Sequence, residues 1–170
     1  MNFISESLDK RRHDRASFDC GVSALNDFLK SYASQNQSKN IARTYVAVSP
    51  DEIKSPKTIY GYYTLSSGQI NFDQLPESTK SKLPKYPVPI ARIGRLARDK
   101  HFRAQGVGEF LLRDALINIL EISEKIATFA VVADAKNDSA KAFYGKYGFT
   151  ALQDSKLTLF LTVDTIKSAI

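Results

Sequence analysis

A chain of 170 residues, 43% hydrophobic and 25% charged, has the size and balance of a single globular domain (1–170) that buries a two-layer core without staples. Its one cysteine, Cys20, excludes an internal disulfide and has no partner cysteine for a metal site, which predicts a reducing compartment and no metal. The polar start, Met1 to Glu6, lacks the apolar core of a signal peptide, and no run reaches the length of a membrane span, so no membrane partner and a cytoplasmic location are expected. The net charge of +6 is local: between Lys80 and Arg103 eight basic residues face one acid, Asp99, giving +7 and leaving the rest of the chain near −1. A solvated face is the ordinary reading of a basic segment, but three arginines within seven residues of a strand, Arg92, Arg95 and Arg98, fit a polyanionic ligand better.

Residues Met1 to Gly21 begin with a short strand and continue into a charged stretch, Asp9 to Arg15, read as a solvated loop or helix end in which His13 has no evident partner. Ser23 is the expected N-cap of a helix whose apolar face carries Leu25, Phe28, Leu29, Tyr32 and Ala33, with 34–40 as its polar end and loop. Thr44 to Val48 and Thr58 to Leu65, rich in β-branched and aromatic residues, predict paired antiparallel strands around a loop with Pro50 and Pro56. A weak helical signal over Leu75 to Leu83 ends at Pro84 to Pro87. Then follow a strand over Pro89 to Ala97, a helix from Val107 to Leu120, a strand Ile126 to Ala133, a helix Ser139 to Tyr147 and two strands split near Asp154. Strand, helix, apolar strand predicts a right-handed crossover and a parallel pair. Gly94 inside its strand marks either a bulge, which would bring Arg92 and Arg95 to one face, or room for a neighbouring side chain.

The turn between the Pro89 strand and its helix runs Arg103-Ala104-Gln105-Gly106-Val107-Gly108. Glycines at Gly106 and Gly108 let the backbone turn tightly and bring bare N–H groups near a ligand, and the helix adds its first-turn donors and positive dipole end. That combination suits a phosphate, although a glycine pair before a helix is also an ordinary turn. A dinucleotide fingerprint would need glycine or alanine at Leu111, and no GxxxxGK[ST] occurs.

Arg103-x-x-Gly106-x-Gly108 opening a helix resembles the pyrophosphate loop of the GNAT acetyltransferase family. A second block, Asn137-Asp138-Ser139 through Tyr144 to Gly148-Phe149, is similar to the family's later motif, in which an asparagine and a small residue open a helix bearing a tyrosine. The resemblance implies an α/β (α+β) fold with a mixed, twisted central sheet and helices on both faces. It implies acetyl-CoA as co-substrate, held by Leu96, Ala97, Arg98, Arg103, Ala104, Gln105, Gly106, Val107, Gly108, Asn137 and Ser139, in the gap between two splayed parallel strands. Phe18 to Leu29, Ala33, Gln35 to Gln37, Thr44-Tyr45-Val46, Gly94-Arg95-Leu96-Ala97 and Leu159-Phe160-Leu161 are similar to the aminoacyl-tRNA-acetylating toxins of toxin-antitoxin pairs. That subgroup implies aminoacyl-tRNA as acceptor, contacted by Arg92 and Arg95, an antitoxin protein as partner and a homodimer as a further expectation.

Acetyl transfer needs a neutral amine, a polarised thioester carbonyl and a proton for the leaving thiolate. Tyr144 is the candidate acid, because a phenol of pKa near ~10 is protonated at neutral pH and matches a thiolate in basicity; its helical spacing with Ala140, Phe143 and Tyr147 equally fits a core aromatic. The N–H groups around Leu96 to Arg98 are the candidates for the carbonyl. No residue from Ile90 to Arg98 is acidic, so the strand supplies no general base; an α-amine near ~8, lowered further by its ester, needs little help and water would serve. His101 reads as a lone exposed loop histidine. A small amine, polyamine or peptide amine remains the alternative acceptor, and a nucleic-acid-binding module on a degenerate enzyme fold the alternative class.

Overall fold

The structure, a computed structural model, describes residues 1–169. Its strands are β1 (Ile4–Ser7), β2 (His13–Asp14), β3 (Arg43–Val48), β4 (Lys57–Thr58), β5 (Gly61–Ile70), β6 (Val88–Arg98), β7 (Ala130–Asp134), β8 (Thr150–Leu152) and β9 (Ser155–Thr162). The α-helices are α1 (Ser23–Asp27), α2 (Ala33–Ser38), α3 (Glu77–Lys80), α4 (Val107–Ser123), α5 (Asp138–Lys146) and α6 (Val163–Ala169). Seven strands hydrogen-bond in the order β1-β3-β5-β6-β7-β9-β8, with β6 and β7 parallel and the pairs β1–β3, β3–β5, β7–β9 and β8–β9 antiparallel. The mixed sheet and its parallel pair are as expected. The chain divides into two compact units, Met1–Ser66 with Gly94–Ala115, and Ser67–Ile93 with Leu116 onward.

In the first unit, β5 explains the layering. Tyr62 and Tyr63 are adjacent and so point to opposite faces, yet both are fully buried. The Tyr62 hydroxyl donates to the Leu25 carbonyl of α1 (2.8 Å), and that of Tyr63 to Asp114 Oδ2 of α4 (2.6 Å). Helices therefore cover both faces of this strand, and each buried phenol is satisfied, which keeps the cost of burying a hydroxyl low. Gly61 sets the spacing to α4: a Cβ there would lie 2.7 Å from Leu111 Cδ1, 2.8 Å from the Ala97 carbonyl and 2.9 Å from Val107 Cγ1. Only a residue without a side chain lets the first turn of α4 approach this closely.

Two details of the amino-terminal region differ from the reading of the sequence. The N-cap of α1 is Val22, and it makes no side-chain cap bond; Ser23 is already helical. A π-helical turn, Phe28–Tyr32, separates α1 from α2 and shifts the helical phase, so that Tyr32 is 57% exposed although it lies on the apolar spacing. The polar continuation is a helix end and loop as expected, helical to Ser38, and Gln37 ties it to neighbouring backbone: its side chain accepts from the Thr44 N–H (3.0 Å) and donates to the Leu8 carbonyl (2.9 Å).

His13 is no solvated loop residue. It is 2% exposed, in β2, which pairs with β4 in parallel. Its Nδ1 accepts from the Asp9 N–H (3.0 Å), which leaves the proton on Nε2, 2.8 Å from Glu6 Oε1. Lys57 Nζ lies 2.8 Å from Glu6 Oε2, so a sequence-distant carboxylate binds β2 and β4 to β1. The Lys57, His13 and Arg12 partners outweigh desolvation, the largest single influence, and hold the Glu6 carboxyl below its usual range.

In the second unit, the register Ile90↔Ala130 to Ile93↔Ala133 joins two apolar strands, and Ile70, Leu75, Val88, Ile90, Ala130, Val132, Leu152 and Phe160 form the core. The strand expected from Ile126 begins only at Ala130; Ile126 is 71% exposed and its N–H still bonds the Ile122 carbonyl in a final helical turn. The carboxyl-terminal strand stops at Thr162, whose Oγ1 accepts from the Thr165 N–H (3.2 Å) and starts α6, with Val163 and Ile166 buried. This helix was missed because seven residues with two buried apolar positions, Val163 and Ile166, carry little periodicity.

Candidate active site

In the first unit, the loop before α4 is anchored before it turns. The Asp99 N–H donates to the Tyr60 carbonyl (2.9 Å), and the buried Asp99 carboxylate accepts from the N–H of His101 (2.8 Å) and of Asp19 (3.0 Å). His101 Nδ1 lies 2.7 Å from the same carboxylate, so His101 is exposed as expected but not alone. Phe102 packs its ring 4.3 Å from that of Tyr60. Past this clamp, Ala104 (φ 59°) and Gly106 (φ 79°) both adopt left-handed conformations. Left-handed residues in such a turn aim successive N–H groups to one side, forming an anion-binding concavity. The first helical bond runs from Phe110 N–H to the Gly106 carbonyl (3.0 Å), so the donors of Val107, Gly108 and Glu109 lie ahead of the helical ladder.

This loop fits a pyrophosphate. A Cβ at Gly106 would meet nothing within 4 Å, so the space in front of the backbone is open, and Arg103, Ala104, Gln105 and Gly106 are all exposed. Val107 is buried and holds the start of α4 beneath β5. Of the three residues proposed to polarise the carbonyl, Ala97 is buried, Leu96 half-buried and Arg98 exposed.

The basic segment is less bare than its sequence. Lys80 pairs with Glu77 (3.0 Å), Arg92 with Asp134 (2.7 Å) and Lys100 with Asp19 (2.9 Å). Arg95 is fixed differently: its guanidinium lies 3.7 Å from the centre of the buried Phe28 ring, and its backbone N–H donates to Thr64 Oγ1 (3.0 Å). Stacking of this kind contributes about 0.5–2 kcal/mol and leaves the edge N–H donors available. A Cβ at Gly94 would sit 3.3 Å from the same Thr64 hydroxyl, so this glycine makes room for a neighbouring side chain.

The second unit carries the other motif. Asn137 caps α5, its Oδ1 accepting from the Ala140 N–H (2.9 Å), while Ser139 is exposed in the first turn. Gly148 (φ 95°) ends the helix in a paired arrangement: Gly148 N–H to the Gly145 carbonyl (3.1 Å) and Phe149 N–H to that of Tyr144 (3.3 Å). Tyr144 and Phe149, the residues such a motif brings together, have ring centres 5.3 Å apart. Tyr144 is 4% exposed; burial, and then the nearby Asp134 carboxylate, push its phenol well above the ordinary value. It therefore stays protonated across the neutral range, as an acid must.

Sequence reasoning missed Asp134, Gly61, Asp99 and Phe28. Asp134 ends β7 directly before the second motif, and its position at a parallel strand's carboxyl end was the available signal.

Residues 85–158 match the family model described as Acetyltransferase (GNAT) domain. Over 173 aligned residues, 97% of this chain and 93% of the other, the sequence is 34% identical to a probable toxin TacT of Sinorhizobium fredii (strain NBRC 101917 / NGR234). A crystal structure of a tyrosine-to-phenylalanine mutant of KacT superposes with a TM-score of 0.91 at 31% identity, covering 100% of both chains. AtaT complexed with acetyl-methionyl-tRNAfMet gives 0.89 at 27% identity, covering 99% of each. Other AtaT structures hold the C-terminus of the antitoxin AtaR (TM-score 0.83, 25% identity, 99% and 98% covered) or, as AtaTR, acetyl-CoA (0.84, 28%, 98% and 97%). With two motifs in place and a relative 34% identical along nearly its whole length, the chain belongs to the GNAT acetyltransferase family.

Proposed function

We propose that this acetyltransferase moves an acetyl group from acetyl-CoA to the α-amine of aminoacyl-tRNA, and so acts as a translation-blocking toxin of the cytoplasm, restrained by an antitoxin protein. The observation that carries the reading is the full-length likeness to AtaT, whose structure contains acetyl-methionyl-tRNA. The antitoxin follows from AtaT bound to the C-terminus of AtaR, and the acyl donor from AtaTR bound with acetyl-CoA.

In this reading Arg103 and the N–H groups from Gln105 to Gly108 hold the pyrophosphate, which the open space before Gly106 favours. The N–H groups of Leu96 to Arg98 take the thioester carbonyl oxygen and stabilise the charge that develops there. Asn137 and Ser139 complete the acetyl-CoA contacts. Tyr144 gives its proton to the departing sulfur, a role its raised phenol value permits. Arg95, held over the Phe28 ring, presents its donors to acceptor phosphates, with Arg92 beside Asp134 the second basic contact.

The deciding experiment incubates the purified protein with labelled acetyl-CoA and a complete pool of aminoacyl-tRNA. Label on the aminoacyl group of one or a few species is expected, and none on uncharged tRNA, whose terminal ribose has no amine. An unlabelled pool together with efficient acetylation of a small amine overturns the tRNA reading in favour of the small-amine alternative.

A further inference from the structure

We infer that Asp134 is the proton acceptor of the reaction, taking the proton that the attacking amine loses, with Arg92 as the positioning residue that orients its carboxylate. The inference rests on the aminoacyl-tRNA reading above and names the base that reading leaves to water.

Strand β6 carries no acid from Ile90 to Arg98, so any protein carboxylate must come from a neighbouring element. The adjacent parallel strand brings one. In the β6–β7 register Arg92 faces Val132, and Asp134, two residues on, projects from the same side of β7. Arg92 reaches along it, its guanidinium nitrogen 2.7 Å from Asp134 Oδ1. The Asp134 side chain is 40% exposed, too open for a pair whose only task is to seal a core. Exposed pairs of this kind stabilise a fold by about 0–1 kcal/mol, so stability alone is a weak reason for it.

Its place along the chain is that of a site residue. Asp134 closes β7, and open sheets with parallel strands bind their ligands outside the carboxyl ends of those strands. The motif that supplies Tyr144 begins three residues later, at Asn137. Asp134 also contributes to the upward shift of the Tyr144 phenol, which puts the carboxylate within electrostatic reach of the candidate acid. A base and an acid in communication suit a reaction that removes one proton from nitrogen and adds one to sulfur.

The step balances. The amine lone pair attacks the thioester carbonyl carbon, the C–N bond forms and the C–S bond breaks with its electron pair on sulfur. The nitrogen, acidified by the new bond, gives one proton to the Asp134 carboxylate, and Tyr144 gives its phenolic proton to the thiolate. Transfer from the Asp134 acid to the Tyr144 phenolate, directly or through one water, restores both groups. Amide and thiol leave with no proton gained or lost by the protein.

The test uses the full chain, acetyl-CoA and an aminoacyl-tRNA that the parent protein acetylates. Asp134→Asn keeps size and hydrogen bonding but removes the base; its kcat should fall at least tenfold with acetyl-CoA affinity by calorimetry unchanged. Arg92→Met removes the tether and keeps the carboxylate, and should lower kcat less than Asp134→Asn does. Asp134→Glu should recover part of the loss. Equal losses in Asp134→Asn and Arg92→Met assign Asp134 to the ion pair alone and overturn the inference, as does an Asp134→Asn kcat within about threefold of the parent. If the parent acetylates no aminoacyl-tRNA, the proposed function fails first and the inference with it; a failing variant beside an active parent separates the two cases.

Discussion

The loop from Arg103 to Gly108 and the cluster of Arg92, Asp134 and Tyr144 are built on different principles. The loop is almost entirely backbone: two left-handed residues, a clamp at Asp99 and a helix start pinned by Gly61. The cluster is almost entirely side chain, gathered from β6, β7 and α5. A backbone site tolerates changes in most of its side chains but not in its backbone angles. A side-chain site tolerates almost no change in chemistry, while small substitutions leave its scaffold standing. The two regions should therefore fail in different ways, one through affinity and the other through turnover.

The largest effect is expected in the cluster. Tyr144→Phe removes one hydroxyl and keeps the ring that packs on Phe149, so fold and acetyl-CoA affinity should persist. Loss of a general acid lowers turnover by about a hundredfold to ten-thousandfold. Turnover within about twofold of the parent would return Tyr144 to a packing role. Because the phenol lies above its ordinary value, the parent's kcat should also show no alkaline decline from this group up to about pH 10, the value of an unperturbed tyrosine.

The matching break in the loop is Gly106→Val. At φ 79° a β-branched residue is strained, and its side chain would fill the open space before the N–H groups. Acetyl-CoA binding measured by calorimetry should weaken by at least about tenfold, while kcat at saturating acetyl-CoA changes less. Unchanged affinity in a folded variant would remove the phosphate from this loop.

The two regions also differ in how far they could be read from sequence, for the same physical reason. The loop, its strand and its helix are contiguous, and glycine spacing reports backbone angles directly, so Gly106 and the start of α4 at Val107 were legible. The caps of α5 were equally local. Asp134 and Arg92 are 42 residues apart, and Glu6 and Lys57 are 51 apart; neither pairing follows from any local pattern. Gly61 could be seen as a glycine in a strand, but its function, letting Val107 and Leu111 approach, belongs to packing across elements. The acids that meet the segment from Lys80 to Arg103 were not legible for the same reason, since the fold returns Glu77, Asp134 and Asp19 to it.

A smaller effect separates the two arginines. Arg95 stacks on Phe28, whereas the charge of Arg92 is already met by Asp134. If both touch acceptor phosphates, each should release about one counterion on binding, with the contribution of Arg92 reduced by the carboxylate it leaves behind. Arg95→Ala should thus flatten the salt dependence of tRNA affinity by close to one unit of slope, and Arg92→Ala by clearly less. Equal slopes in both variants and the parent would make these arginines a solvated face and its tether.

The smallest effect tests whether Asn137 caps α5 only, or also binds acetyl-CoA. Its Oδ1 accepts from the Ala140 N–H, and at the other end of the nine-residue helix Gly148 and Phe149 close the last turn on backbone alone. Removing a cap of this type costs about 0.5–2 kcal/mol, and in a chain of this length each kcal/mol lowers Tm by roughly 2–4 °C. Asn137→Ala should therefore lower Tm by a few degrees and soften the helix that carries Tyr144. Asn137→Asp keeps an acceptor for the Ala140 N–H, and its charge is favourable at a helix start, so its Tm should stay near the parent's. The same variant replaces an amide that donates with a carboxylate that repels phosphate. If Asn137 touches acetyl-CoA, Asn137→Asp should weaken acetyl-CoA binding at unchanged Tm; if it is a cap alone, the affinity should match the parent's and only Asn137→Ala should show a loss.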